Sequence, residues 1–118
     1  MGKFTVSKAS LQVGSVILVN FPFSNLKGQK IRPALILAEV EFGNLILCQI
    51  TSKPYSSKTA VQIKALDFSK GKLPVISFVR PDKLFTAETT IIKGIVGQLT
   101  PKTKDKILKS VRGLFPLR

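Results

Sequence analysis

A chain of 118 residues is about one domain, able to bury roughly two-thirds of the surface its unfolded form exposes and so to fold without staples. Lys and Arg number 19 against 6 Asp and Glu, a formal net charge of +13; such an excess calls for a polyanionic partner, or else for a solubilising surface that meets nucleic acid only non-specifically. Histidine is absent and Cys48 is the single cysteine, which excludes an internal disulfide and in practice a zinc site, and removes the usual general base near neutral pH.

The six acids, Glu39, Glu41, Asp67, Asp82, Glu88 and Asp105, are scattered along the chain, a poor basis for a two-metal phosphodiester site, which needs clustered carboxylates. No uninterrupted apolar run approaches the roughly 18 residues of a membrane span, and the N-terminus lacks the apolar centre of a signal peptide. The expectation is a soluble protein of a reducing cytoplasm, with Cys48 a buried, inert thiol in the apolar run Leu45-Ile46-Leu47-Cys48.

In chain order, residues 1–12 are polar and mixed and read as a flexible arm. Gly14 opens a first strand over residues 15–21, nearly continuous in apolar and β-branched side chains, closed by Pro22 and expected to be buried on both faces. Residues 24–30 carry turn chemistry and read as a loop. Arg32-Pro33 leads a second strand over residues 34–38, with the proline at its beginning, where a missing N–H costs least. After a turn at residues 42–44, residues 45–51 form a third strand paired with the second.

Residues 52–59 show no apolar period and read as a loop, whereas residues 60–64 alternate as a half-buried strand does, before residues 67–72 turn the chain back. Residues 77–85 supply a further strand, kinked at Pro81. A last strand over residues 89–97 holds Gly94 and Gly97, which point to a bend or a close backbone approach. Then the period becomes helical. Thr100 is a good N-cap, Pro101 suits the first helical position, and Ile107, Leu108, Val111, Leu114 and Phe115 share one face until Gly113 and Pro116 end the helix. Lys102, Lys104, Lys106, Lys109 and Arg112 form its basic face, a solvated surface or a nucleic-acid contact. About six short strands and one terminal helix describe a single domain, a mainly β, small antiparallel barrel with a C-terminal helix.

Four pieces in this order, Gly14-Ser15-Val16-Ile17-Leu18-Val19-Asn20-Phe21-Pro22-Phe23, Arg32-Pro33-Ala34-Leu35-Ile36-Leu37, Cys48-Gln49-Ile50-Thr51-Ser52 and Val79-Arg80-Pro81-Asp82-Lys83-Leu84, make the chain similar to the MazF/PemK family of toxin endoribonucleases from bacterial toxin–antitoxin systems. The resemblance spans about residues 14–115. It implies an SH3-like barrel that forms a homodimer, cuts single-stranded RNA at short sequences without metal or cofactor, and is held in check by an acidic antitoxin whose extended segment occupies the RNA groove. The loop after the first strand, residues 24–30, is expected to move or order on binding. In one branch of the family the arginine of the Arg-Pro motif and the threonine ending the third strand are essential, which carries over onto Arg32 and Thr51. In another the Arg-x-Asp triplet dominates, which carries over onto Arg80 and Asp82. This chain retains both sets.

The residues stand partly on their own chemistry. In an extended strand Arg80 and Asp82 project from one face, as a catalytic pair or as a structural ion pair. Asp82 is the best candidate base, although an ordinary carboxylate is weak in that role and a salt bridge to Arg80 weakens it further. Arg80 and Arg32 suit charge stabilisation at a crowded phosphate. Thr51 and Ser52 can hydrogen-bond that phosphate or the 2′-hydroxyl, unless Thr51 simply closes its strand. Lys30, Lys53 and Lys58 are candidate phosphate contacts. Tyr55 and Phe23 can stack unpaired bases, Phe23 being as readily a core residue. Two other readings stay open: a basic barrel that binds RNA or DNA without cutting it, and an interaction module for an acidic peptide.

Overall fold

A computed structural model describes residues 11–21, 30–54 and 58–116. The arm over residues 1–10, the loop at 22–29, and Phe23 and Tyr55 lie outside the described residues. The chain forms β1 (Ser15–Phe21), β2 (Lys30–Val40), β3 (Asn44–Thr51), β4 (Val61–Ile63), β5 (Phe68–Gly71), β6 (Ser77–Glu88), β7 (Ile92–Leu99) and α1 (Pro101–Gly113). Among the described residues all the strand pairings are antiparallel, and these seven strands make one curled sheet in the order β4-β6-β3-β2-β1-β7-β5.

The mainly β fold with a C-terminal helix is therefore as expected, with seven strands among the described residues rather than about six. The extra strand is β5, in the stretch expected only to turn the chain back: Phe68 lies opposite Leu99 and Gly71 opposite Gly97 on β7. Four residues with little apolar content carry no strand period, and what makes them a strand is the β7 backbone alongside. That contact explains Gly97. A side chain there would run into the Lys70 carbonyl, and one at Gly71, which adopts a φ of +67°, would run into the carbonyl of Val96. The expected close approach is thus real, and β7 shifts register with β1 twice, beside Gly97 and beside Gly94. The strand starts at Ile92, after a 3-10 turn over Thr89–Ile91, and ends at Leu99, later at both ends than expected.

β1 is buried on both faces for a visible reason. One side of the sheet packs Val16, Leu35, Cys48, Ile50, Val61, Val79 and Leu99 with Ile107 of α1; the other packs Ile17, Val19, Phe21, Ala34, Ile36, Leu45, Leu47 and Ile92. Alternation along a strand feeds successive side chains to the two clusters. On the second face Phe21 meets Phe85 edge-on with ring centroids 4.9 Å apart. Pro33 sits inside β2 rather than at its start, because the strand begins at Lys30. It is tolerated there because the register of β2 with β3 runs only to Ala34 opposite Gln49, while β1 continues alongside to Lys30.

The helix begins as expected, with the Thr100 hydroxyl accepting from the Thr103 amide at 3.3 Å and Pro101 in the first turn. Its N-terminus is tied down by a contact the sequence did not announce: the buried Thr103 hydroxyl donates to Asp67 at 2.8 Å, and the other Asp67 oxygen accepts from the Lys64 amide at 2.8 Å. Ile107, Leu108 and Val111 pack on the core. Phe115, expected on the same face, lies past the helix end and is 62% exposed.

Candidate functional site

The site is built at one end of the central strands, β2, β3 and β6. Gln49 of β3 lies between Ala34 of β2 and Arg80 of β6, and Thr51 lies opposite Phe78. Directly opposed residues share a face. Ala34 belongs to the second core cluster, so Gln49, Thr51, Phe78 and Arg80 extend that face beyond the point where it is apolar. β2 adds two cations to it, for Arg32 is opposite Val19 and Lys30 opposite Phe21, both members of the same cluster. The tertiary structure thus brings Arg32, Thr51 and Arg80, which are far apart in sequence, onto one surface with Lys30.

The expected kink at Pro81 is a bulge. Leu84 lies opposite Cys48 and Arg80 opposite Gln49, so Pro81, Asp82 and Lys83 have no counterpart on β3. Pro81 cannot donate to a ladder and is fully buried, which anchors the bulge while Asp82 and Lys83 stand out to solvent. Bulges re-aim side chains next to functional sites. Here the bulge lets Asp82 fold back on Arg80: the guanidinium Nη2 donates to Oδ2 at 2.8 Å and Nε to Oδ1 at 3.3 Å. The Arg80 side chain is 16% exposed and that of Asp82 36%.

A guanidinium has five N–H groups, and this fork engages two of them, so three remain for a ligand. The hydrogen bond from Arg80, aided by the backbone amide and by the charges of Arg80 and Lys83, holds the Asp82 carboxyl below the usual carboxylate range despite partial desolvation. Beneath the bulge Cys48 is a free, buried thiol pushed up to about 12, chiefly by burial and then by the Asp82 charge. A thiol held there is not a nucleophile.

Arg32 is half-buried and has no carboxylate partner among the described residues. Thr51 accepts from the Lys53 amide at 3.2 Å, which turns the chain sharply at the end of β3 and leaves the hydroxyl proton of Thr51 free to donate. Ser52 and Lys53 follow it, exposed, at the mouth of the site. Lys58 is exposed in the turn before β4. Two side chains of this surface escaped the sequence reading, Phe78 and Gln49, both half-buried. Gln49 had a signal: it is the single polar residue in the run from Leu45 to Ile50. Phe78 had none, since an aromatic in a strand is ordinarily core.

Among the described residues no group of three or more Asp, Glu or Cys side chains converges in a way that could hold a metal ion, and no helix is long and apolar enough to cross a membrane.

Similar folds are known. The MazE–MazF structure (form III) from Deinococcus radiodurans matches with a TM-score of 0.70 at 18% identity, covering 88% of this chain and 94% of that one. An endoribonuclease in complex with its cognate antitoxin, from a mycobacterial species, matches with a TM-score of 0.65 at 18% identity over 90% of this chain and 95% of that one. The Mycobacterium tuberculosis toxin MazF-mt6 matches with a TM-score of 0.65 at 20% identity over 85% and 93%. No curated protein matches in sequence. The sequence model of PemK-like, MazF-like toxins of type II toxin–antitoxin systems matches residues 12–115, nearly the whole chain, and the protein belongs to that family.

Proposed function

We propose that this protein is a toxin endoribonuclease that cuts single-stranded RNA at short specific sequences without a metal ion, and that an acidic antitoxin silences it. One observation carries the reading: Arg80, clamped by Asp82, stands on the same face as Arg32 and Thr51. Family membership supports it, as do the solved endoribonuclease and MazE–MazF complex of the same fold.

RNA carries its own nucleophile. The 2′-oxygen attacks the adjacent phosphorus, losing its proton, and the bond to the 5′-oxygen breaks as that oxygen gains one. Between these events the phosphate carries extra charge on its non-bridging oxygens. Arg80 and Arg32 donate to those oxygens, and charge-assisted bidentate donors of this kind are the strongest the protein can supply. Thr51 donates its hydroxyl proton to the same phosphate. Asp82, ionised and locked to Arg80, is a poor base, so its first task is to hold that guanidinium ready before substrate arrives. Lys30, Ser52, Lys53 and Lys58 meet neighbouring phosphates, with Tyr55 and Phe23 stacking bases. The absence of histidine and the scatter of the acids are the grounds for a metal-independent route.

The working form is a homodimer in the cytoplasm. The antitoxin competes for the cationic face through carboxylates placed where RNA phosphates would sit.

Protein treated with excess EDTA should cut a long RNA at a short recurring sequence, and Arg80→Ala should lose a factor of about 100 to 1,000 in rate. Cleavage that disappears with chelator, or that Arg80→Ala leaves unchanged, defeats the proposal. Intact RNA that is nevertheless bound would select the non-cutting basic barrel instead.

A further inference from the structure

Gln49 sits at the centre of the proposed site and nothing in the fold accounts for it. In register it lies between Ala34 and Arg80, at the Cα spacing of roughly 4.5 to 5.5 Å usual for opposed antiparallel residues. Leu45, Leu47, Cys48 and Ile50 on the same strand are buried apolar core. Gln49 alone breaks the run, and among the described residues no partner satisfies its carboxamide. A half-buried carboxamide with no partner of its own among the described residues keeps a donor and an acceptor available to a ligand. On its β2 side stands the small, buried Ala34; on its β6 side stands Arg80, already forked to Asp82.

The chemistry of the position differs from that of its neighbours. Arg32, Arg80 and Lys30 carry only donors and positive charge, suited to phosphate. A carboxamide presents a donor and an acceptor side by side, poorly matched to a phosphate and well matched to the edge of a base. Glutamine pairs in this bidentate way with the N6 and N7 atoms of adenine, and unpaired RNA bases expose these edges. We propose that Gln49 is a specificity-determining residue, whose carboxamide reads the edge of an adenine in the nucleotide next to the scissile phosphate. The inference rests on the endoribonuclease reading above and adds to it what selects the cut.

The test compares wild type, Gln49→Ala and Gln49→Met on one long RNA of mixed sequence, with cut ends sequenced and rates measured at individual sites. Methionine keeps the shape without the hydrogen bonds, so a variant that fails to fold through lost volume is separated from one that has lost recognition. Wild type should require an adenine at one position beside the cut, and both variants should relax that requirement by roughly 5- to 150-fold while still cleaving. Two results overturn the inference: variants that keep the wild-type sequence preference, or variants slowed equally at every sequence, which would place Gln49 in the general phosphate machinery. A wild type that cuts nothing refutes the endoribonuclease reading itself, so the two failures are distinguishable.

Discussion

Asp82 illustrates how a site residue can be placed for one role and held away from another. Its carboxyl is kept ionised by Arg80 below the ordinary value of 3.8, so no acid limb from Asp82 should appear in kcat/KM between about pH 5 and 8. A fall by half between pH 5 and 6 in that profile would instead mark a raised carboxyl acting as base. Replacing Asp82 by Ala frees Arg80 and should cost about 10- to 100-fold in kcat/KM, while Asp82→Asn, which still offers one oxygen to the guanidinium, should lose less. The same pair bears on stability. A carboxyl whose folded pKa is depressed stabilises above its unfolded pKa and stops doing so as pH falls through the folded value. The melting-temperature difference between wild type and Asp82→Asn should therefore persist at pH 5 to 8 and vanish in acid below 3.8, and it should be small because the side chain is 36% exposed. Cys48 gives a second check at this scale: with its thiol at about 12 and buried, iodoacetamide at pH 8 should label it only when denaturant opens the sheet.

At the scale of elements, a glycine decides whether β5 joins the sheet. Gly97→Ala sets a methyl group against the Lys70 carbonyl, so β5 must move off β7 and stability should fall by about 1–3 kcal/mol, read as a lower melting temperature. Gly94→Ala is the matched control: the same strand and the same added methyl, but nothing within 4 Å of it, and an effect within about 0.5 kcal/mol of wild type. The helix cap is the other test. Thr100→Ala removes the acceptor for the Thr103 amide and a link in the chain from Thr100 through Thr103 to Asp67, and it should cost about 1 kcal/mol in denaturant unfolding. The sequence showed this cap, because Thr-Pro before a helical period is a local signal. It did not show Asp67, which reaches the helix from 36 residues away.

Over the whole molecule the charges are sorted along the central strands. Glu39 lies at the far end of β2, Glu41 in the turn just past it, and Glu88 lies opposite Asn44, where β3 starts. Arg32, Lys53 and Arg80 gather around Thr51, where β3 ends, about 23 Å away at the rise of an extended strand. Half of the six acids are thereby removed from the site, and the net charge of +13 acts on an approaching polyanion with little opposition there. RNA affinity should fall linearly with salt on logarithmic axes, with a slope of about −0.7 for each phosphate neutralised. A single-strand binding titration between 50 and 300 mM salt measures it, and a slope near zero would contradict cationic recognition.

Some of this was written in the sequence alone. The mainly β class, the limits of β1 and β3, the alternation of β4 and the capped terminal helix follow from local periods and turn residues, which operate over a few residues wherever the chain finds itself. The Arg-x-Asp spacing likewise announced an ion pair. What the local signals lacked was any term for long-range pairing. β5 exists because β7 lies beside it; the Arg80–Asp82 pair sits on a bulge that only the register against β3 reveals; and Arg32, Gln49, Thr51, Phe78 and Arg80 share a surface because β2, β3 and β6 are neighbours in the sheet. A strand's sequence specifies which side chains share its face, but the order and register of strands are set by summed packing across the whole sheet, and it is that sum which turned scattered residues into a site.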